Sequence, residues 1–459
     1  MLNKNDLISD LCKITNDVLI NEAECYAFCC DASGCECGKN NALAVVFAKS
    51  VDEITDLVKI ANKYAVPIIT RGAGTNVVGA CVPDKESIIL NLSKMNKIID
   101  INPQNMTAKV QAGAVVADLQ AEADKHGLYF PPDPSNLKVS TIGGGIAQAS
   151  AGAKAFKYGT MKDYVLGLTV VLADGKVIHT GSSTIKNAVG YNLSSLFSGS
   201  EGTLGIIAEA VLKLIPKPEK KVVMMSYFDA IDDAVDAVTM LIKNKITPCT
   251  IDFMDKNSLE TVEGFKHTGI LTDRACALII EVDGFMQAVE YQINLIRKIL
   301  EDFRADSINI SKTEEDYEKI WEARRSSMAA CARLKPNVIT DDLVVPRDKL
   351  SKLVKGVQDI CKKYSLDVCL VGHIGDGSVH PQIPIDISDK DEVSRLKSAK
   401  SEMYELCISL GGVISGEHGV GKLKKNYINS VVDENTLNLM KTLKKTLDPR
   451  NILNPDKIF

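Results

Sequence analysis

The sequence predicts an α+β protein, and three observations carry that prediction. From Ala42 onward a buried apolar run, an amphipathic helical stretch and a second apolar run follow one another, which is the βαβ pattern. Glycine-rich turns then close strand after strand, with Asp174-Gly175 the strongest hairpin signal. Beyond a Pro/Lys-rich stretch at 217–221, which reads as a linker, strands again alternate with amphipathic helices. A chain of 459 residues is expected to hold two or three domains with sizeable cores.

Composition narrows the function classes. The chain is 45% apolar and 25% charged with a formal net charge of −5, ordinary for a soluble globular protein. Mild acidity without a Lys/Arg cluster argues against nucleic acid or an anionic membrane as the main partner. No apolar run approaches the ~20 residues that span a bilayer. The opening Met-Leu-Asn-Lys-Asn-Asp has no signal-peptide pattern, so a cytoplasmic protein is expected. The 13 cysteines are odd in number and scattered, which fits free thiols in a reducing compartment. Five of them cluster, Cys25, Cys29, Cys30, Cys35 and Cys37. They could ligate an iron–sulfur cluster, but their spacing matches none of the usual ferredoxin-type runs, and thiols in an N-terminal loop are the preferred expectation.

In chain order, residues 1–40 read as a short helix and an irregular polar segment. A strand at 44–48, a helix at 51–64 and a strand at 67–70 follow. Directly after comes Arg71-Gly72-Ala73-Gly74-Thr75-Asn76-Val77-Val78-Gly79, a loop whose backbone N–H groups could hold a diphosphate. Its spacing is not the nicotinamide fingerprint Gly-x-Gly-x-x-Gly. Strands at 87–92 and 106–111 and a helix at 115–126 lead to the stiff loop Pro131-Pro132-Asp133-Pro134-Ser135. Thr141-Ile142-Gly143-Gly144-Gly145 offers a second place for a backbone to lie flat against a ligand. The small residues at 147–152 suit packing under a bulky planar group. A hairpin at 165–173 and 176–180 precedes Gly199-Ser200-Glu201-Gly202-Thr203-Leu204-Gly205-Ile206-Ile207. Beyond the linker, strands are expected at 222–228 and 275–282, and helices at 230–243, 286–303 and 314–332. The last helix bears Trp321, Arg324 and Arg325.

Half of the six histidines lie in two short stretches. His373 and His380 flank a Gly-Asp-Gly turn between apolar runs, and Ser415-Gly416-Glu417-His418-Gly419 adds a carboxylate and a third imidazole. Two imidazoles and a carboxylate are a donor set for a divalent metal, and the remaining histidine could do acid–base work beside it. Structural histidines next to tight turns are the bland alternative. Residues 416–422 mimic a P-loop, but Leu423 replaces the Ser/Thr that would meet magnesium, which removes nucleotide hydrolysis.

Taken together these motifs resemble a known family. Arg-Gly-Ala-Gly-Thr at Arg71, Pro-Asp-Pro-Ser at Pro132, Thr-Ile-Gly-Gly at Thr141 and Gly-Ser-Glu-Gly-Thr-Leu-Gly at Gly199 resemble the FAD domain of vanillyl-alcohol-oxidase-type (PCMH-type) flavoproteins. With His-Ile-Gly-Asp-Gly at His373, Gly-Glu-His-Gly at Gly416 and Asn-Pro-Asp-Lys at Asn454, the chain resembles bacterial D-lactate dehydrogenases and glycolate oxidase FAD subunits. D-2-hydroxyglutarate dehydrogenase is a similar relative.

The resemblance implies an N-terminal segment at 1–40, an FAD-binding domain at 41–218, an α+β substrate cap at 219–410 and a segment at 411–459 returning to the FAD domain. It implies FAD contacts at Arg71, Gly72, Ala73, Gly74, Thr75, Asn76, Gly79, Pro132, Asp133, Ser135, Thr141, Gly143, Gly144, Ala149, Gly152, Tyr158, Glu201, Gly202, Gly205, Ile206, Ile207 and Asn454. Some members attach FAD through a histidine in the first glycine loop. Thr75 and Asn76 stand there in this chain, so non-covalent FAD is expected.

The resemblance further makes His373, His380 and Glu417 ligands of one divalent metal, zinc, iron or manganese. It makes His418 the general base and Arg324, rather than the adjacent Arg325, the clamp on a substrate carboxylate. Hydroxyglutarate enzymes carry a lysine shortly after this helix; Val338-Ile339-Thr340-Asp341-Asp342 has none, which favours a small monocarboxylate. Ser378 stands where relatives often have asparagine. The implied activity is FAD-dependent oxidation of a small D-2-hydroxy acid, D-lactate to pyruvate first and glycolate or D-2-hydroxyglutarate after it. Electrons would pass to an electron-transfer flavoprotein or an iron–sulfur subunit. A flavin-dependent transferase and a flavin-holding subunit without turnover are the readings from other classes.

Overall fold

The computed structural model describes residues 3–35 and 41–459, so Cys37 lies outside the described residues. Its chain divides into two compact units. The first comprises Met1–Ala151, Thr160–Lys217 and Glu417–Phe459; the second comprises Gly152–Gly159 and Pro218–Gly416.

The first unit holds two larger sheets. A four-stranded sheet runs in the order Val18–Leu19, Ala42–Phe47, Ser87–Asn91 and Ile68–Arg71, the last three mutually parallel. The helix Val51–Tyr64 makes the crossover. It starts where the Ser50 side chain accepts the Glu53 N–H and ends at Ala65 in the left-handed region. Ile54, Leu57, Val58 and Ala61 recur at helical spacing and are buried, the larger ones contributing roughly 1.5–3 kcal/mol each. They join one core with Leu7 and Leu11 of the first helix and with Ile452 and Leu453 near the C-terminus. That C-terminal stretch bridges in parallel to the edge strand, with Ile68 N–H on Ile452 O at 2.7 Å and Asn454 N–H on Ile68 O at 2.9 Å.

The second sheet of this unit is antiparallel, in the order Ile98–Asn102, Thr107–Gln111, Ile206–Lys213, Val165–Val171 and Val177–Gly181. Its outer strand Ile98–Asn102 is not foreseen in the sequence. It carries a bulge and is half-exposed, and its Ile-Ile-Asp-Ile-Asn run breaks the two-residue alternation.

The second unit is built on one antiparallel eight-stranded sheet. Its order is Ile308–Ile310, Lys220–Phe228, Cys276–Gly284, Thr250–Asp255, Cys369–Gly372, Ser378–Ile385 and Asn337–Thr340, with Leu343–Val344 pairing beside Ser378–Ile385. The short helical stretch Ala155–Tyr158 packs with this unit although its neighbours in sequence belong to the first. The helix expected at 314–332 is two, Glu314–Arg325 and Ser327–Cys331. Ser327 Oγ accepts from Gln382 Nε2 at 3.3 Å, which draws the second piece onto the sheet. No helix among the described residues is long and apolar enough to cross a membrane.

Candidate active site

In the second unit, the strands Cys369–Gly372 and Ser378–Ile385 form the expected hairpin, with Val371 opposite His380. The turn is tight because His373 O accepts the Asp376 N–H at 3.0 Å. Gly377 has φ +87°, and a Cβ there would fall 2.1 Å from Val345 O. His373 therefore stands at the head of the turn and His380 on the returning strand. Their rings meet edge to face with centroids 5.1 Å apart.

The residue that orients His373 is Asp252, 1% exposed on the strand Thr250–Asp255. Its Oδ1 accepts from His373 Nδ1 at 2.7 Å, and its Oδ2 lies 2.6 Å from Arg324 Nε. Burial pushes its carboxyl up, but His373 and Arg324 outweigh that and hold it below the ordinary range. A neutral imidazole donating from Nδ1 presents the Nε2 lone pair to a ligand, the orientation a metal-binding histidine needs. His380 Nδ1 likewise lies 3.3 Å from the Asp341 carbonyl, and its Nε2 lies 3.4 Å from Ser378 Oγ. The donor set thus fits a divalent cation. Arg324 Nε is ion-paired with Asp252 Oδ2, although the pair lacks the angle of a hydrogen bond, and its two Nη groups make no ion pair among the described residues and are available to a planar anion. Arg325 instead pairs with Glu318 at 2.6 Å in the exposed part of the helix.

Asp342, fully buried, holds the end of the same unit. Its Oδ2 accepts the Gly416 N–H at 2.6 Å and its Oδ1 lies 3.8 Å from His380 Nδ1. Glu417 is the next residue in the chain. Neighbouring Asp341 is committed to the fold, with Tyr404 OH at 2.6 Å and Lys400 Nζ at 3.0 Å.

A second acidic group, Cys249, Glu281 and Asp283, also has metal-type donors within 4.8 Å of one another. One oxygen of Glu281 and both oxygens of Asp283 are already engaged. Glu281 accepts from Tyr317 OH and Trp321 Nε1, both at 2.8 Å, and Asp283 accepts from Lys157 Nζ and from Tyr158 OH at 2.8 Å. Tyr158 and Gly152, expected at the flavin, thus belong to the second unit, and the Tyr158 hydroxyl anchors its segment there.

In the first unit, the glycine loop leaves the strand Ile68–Arg71. A Cβ on Gly72 would fall 2.2 Å from Thr141 Oγ1, so the loop lies against the N-terminus of the helix Ile142–Gln148. Gly143 and Gly205 are required by packing, since a Cβ would lie 2.5 Å from Ala112 Cβ and from Val170 Cγ1 respectively. Ile206 and Ile207, both buried, begin the strand that follows. Buried oxygens of Thr70, Ser140, Gln148 and Ser150 have no hydrogen-bond partner among the described residues. Such orphans on the glycine loops fit a polar ligand such as FAD.

Several expected flavin contacts use their polar atoms on protein. Arg71 donates to the carbonyls of Phe28 and Cys30. Asn76 Oδ1 accepts the N–H groups of Val78 and Ala80 at 2.9 and 3.1 Å. Gly79 faces Cys35, Pro132 O accepts from Gln120 Nε2 at 3.0 Å, and Ser135 is exposed. Glu201 and Asn454 bond to each other and to neighbouring backbone. Ala73, Gly74 and Thr75 lie on the first glycine loop, Asp133 on the proline-rich loop, Gly144 inside the helix Ile142–Gln148, Ala149 at the C-terminal end of that helix and Gly202 in the turn at 199–205. In this unit His418 Nε2 lies 4.0 Å from Glu417 Oε1, and its carbonyl accepts from Asn76 Nδ2 at 3.4 Å.

Sequence reasoning missed Asp252, Asp342 and the Glu281 network. The available signal was an acid inside the run Thr-Ile-Asp-Phe-Met-Asp, because a buried carboxylate demands a partner.

Residues 217–458 match the family described as FAD linked oxidases, C-terminal domain, and residues 42–181 match the FAD binding domain family. The chain is 43% identical over 416 residues to a glycolate oxidase subunit GlcD of Bacillus subtilis, covering 91% of this chain and 88% of that one. It is 34% identical to a D-lactate dehydrogenase of Archaeoglobus fulgidus, covering 90% of each. Among solved structures, p-cresol methylhydroxylase with substrate bound superposes with a TM-score of 0.82 at 18% identity, over 99% of this chain and 96% of that one, which establishes the fold.

Proposed function

Because this chain belongs to the FAD-linked oxidase family and is an FAD-linked oxidoreductase, we propose that it oxidises a small D-2-hydroxy acid, D-lactate to pyruvate. The observation that carries this reading is the single carboxylate of Asp252 holding both His373 and Arg324. It joins a set of metal-type donors to a guanidinium suited to a carboxylate, and a 2-hydroxy acid offers a hydroxyl and a carboxylate on adjacent carbons.

His373, His380 and Glu417 would hold the divalent cation, zinc, iron or manganese, whose chemistry is to lower the hydroxyl pKa and fix its orientation. Non-covalently bound FAD supplies the hydride acceptor, N5 of the flavin. Arg324 grips the substrate carboxylate with its Nη groups, while Asp252 fixes the guanidinium from behind. His418 takes the hydroxyl proton, a task matched to an imidazole. The absence of a lysine at 338–342 supports a monocarboxylate over D-2-hydroxyglutarate.

Glycolate is the second reading, favoured by the 43% identity to a protein named as a glycolate oxidase subunit. The family resemblance points to a protein electron acceptor, an electron-transfer flavoprotein or an iron–sulfur subunit, and to a cytoplasmic location; the sequence itself holds no nicotinamide fingerprint. The donor set and Arg324 count against a flavin-dependent transferase and against a subunit without turnover. Steady-state turnover with an artificial acceptor tests the reading, with D-lactate, L-lactate, glycolate and D-2-hydroxyglutarate compared. A kcat/KM highest for D-lactate supports it; a highest value for glycolate selects the second reading, and no turnover with any acid removes both.

A further inference from the structure

Glu201 sits in the turn 199–205 with φ +51° and is 4% exposed. Its Oε1 accepts the Val420 N–H at 2.7 Å and its Oε2 the Gly421 N–H at 2.8 Å. The turn that presents it is itself fixed. Glu201 N–H donates to Ala147 O at 2.8 Å, and Glu201 O accepts from Asn454 Nδ2 at 2.7 Å. Asn454 Oδ1 in turn accepts the Thr70 N–H at 2.8 Å, the residue before the first glycine loop begins. Between His418 and the clamped pair stands Gly419 with φ +83°. A Cβ there would fall 2.4 Å from Gln148 Oε1 and 2.8 Å from Glu201 Oε1. The backbone beside His418 is therefore held by a carboxylate, and that same carboxylate together with the Gln148 side chain leaves no room for a side chain at Gly419.

We infer that Glu201 is a positioning residue for His418, its carboxylate fixing the backbone two and three residues further on rather than contacting FAD. This rests on the reading of His418 as the general base. Two hydrogen bonds from adjacent N–H groups to one carboxyl group define the loop's path more tightly than a single bond would. A glutamine replaces one acceptor by a donor, which leaves a buried N–H facing an NH2 and forces the loop to shift. A displacement near 1 Å of a reacting group costs on the order of 100-fold in rate.

The test uses the full chain with FAD and D-lactate, and reads FAD affinity by fluorescence titration and flavin reduction by anaerobic stopped flow. Glu201→Gln is expected to keep FAD affinity within about 2-fold and to slow flavin reduction by about 10–100-fold. Combined with His418→Asn it should slow reduction no further than His418→Asn alone, because both act through one group. Additive losses in the double variant, or a 10-fold loss of FAD affinity in Glu201→Gln, overturn the inference. If Glu201→Gln does not accumulate, Glu201→Asp, which keeps the charge at shorter reach, enters the same cycle with the same criteria. A His418→Asn protein that reduces its flavin at the wild-type rate overturns the base reading itself, and the inference falls with it.

Discussion

Asp252 accepts a hydrogen bond from His373 Nδ1 at 2.7 Å through one oxygen and faces Arg324 Nε at 2.6 Å through the other. A carboxylate shared in this way orients a metal-type donor and a substrate-type cation together, so disturbing it should affect both. Asp252→Asn cannot serve both partners: its amide presents one acceptor and one donor. The expected outcome is a 10–100-fold weaker hold on the divalent metal together with a raised KM for the hydroxy acid. Metal content after dialysis and steady-state kinetics check the two effects, and a change in only one of them counts against the coupling.

Arg324→Lys keeps the charge but loses the planar fork. With hydrogen bonds to charged groups worth about 1.5–3 kcal/mol, kcat/KM is expected to fall by about 10–150-fold. Arg325→Lys, altering an exposed pair with Glu318, should stay within about 3-fold of wild type.

Glu281 is buried and accepts from both Tyr317 and Trp321 at 2.8 Å. Tyr317→Phe removes one donor from a carboxylate that is 1% exposed. A loss of about 1–3 kcal/mol in stability is expected, read as a lower thermal midpoint with the flavin spectrum unchanged.

Glu201 gives a pH signature. Burial raises its carboxyl from 4.5 to about 7, against the opposing bonds from Val420 and Gly421 and the nearby Lys457 and Lys424. Between those values the unfolded chain has released this proton and the native protein still holds it, so the group's contribution falls as pH rises from 4.5 toward 7 and then levels. The effect is on the order of 3 kcal/mol. Carboxyls held below their ordinary values, such as Asp252, act in the opposite sense. The difference between wild type and Glu201→Gln isolates the group: the wild type should lose more stability than the variant across that window in thermal melts.

Much of this was legible in the chain. The crossover helix Val51–Tyr64 announces itself through its Ser50 cap and four apolar residues at helical spacing. The hairpin at His373 is legible because Gly377 must adopt a left-handed conformation. The strand Thr250–Asp255 was hidden because its two acids break the apolar run. Asp252 is buried against His373 and Arg324, and Asp255 caps the next helix through Ser258 while accepting the Leu370 N–H at 3.0 Å. Partners 70 to 120 residues away carry no local pattern. The same holds for Glu201. Its place in a glycine motif suggests a ligand contact, and only the fold shows that its carboxylate closes on Val420 and Gly421.

Chelation offers an independent check on the metal. Removing the divalent cation with a chelator should abolish turnover while leaving the FAD absorbance intact, and returning zinc, iron or manganese one at a time should identify the ion that restores it.

The most direct test of the central claim is an anaerobic absorbance titration of the bound flavin with D-lactate, with L-lactate and D-2-hydroxyglutarate as comparisons. Stoichiometric bleaching by D-lactate, with L-lactate and D-2-hydroxyglutarate without effect, is the predicted result. A flavin spectrum that no 2-hydroxy acid alters would contradict it.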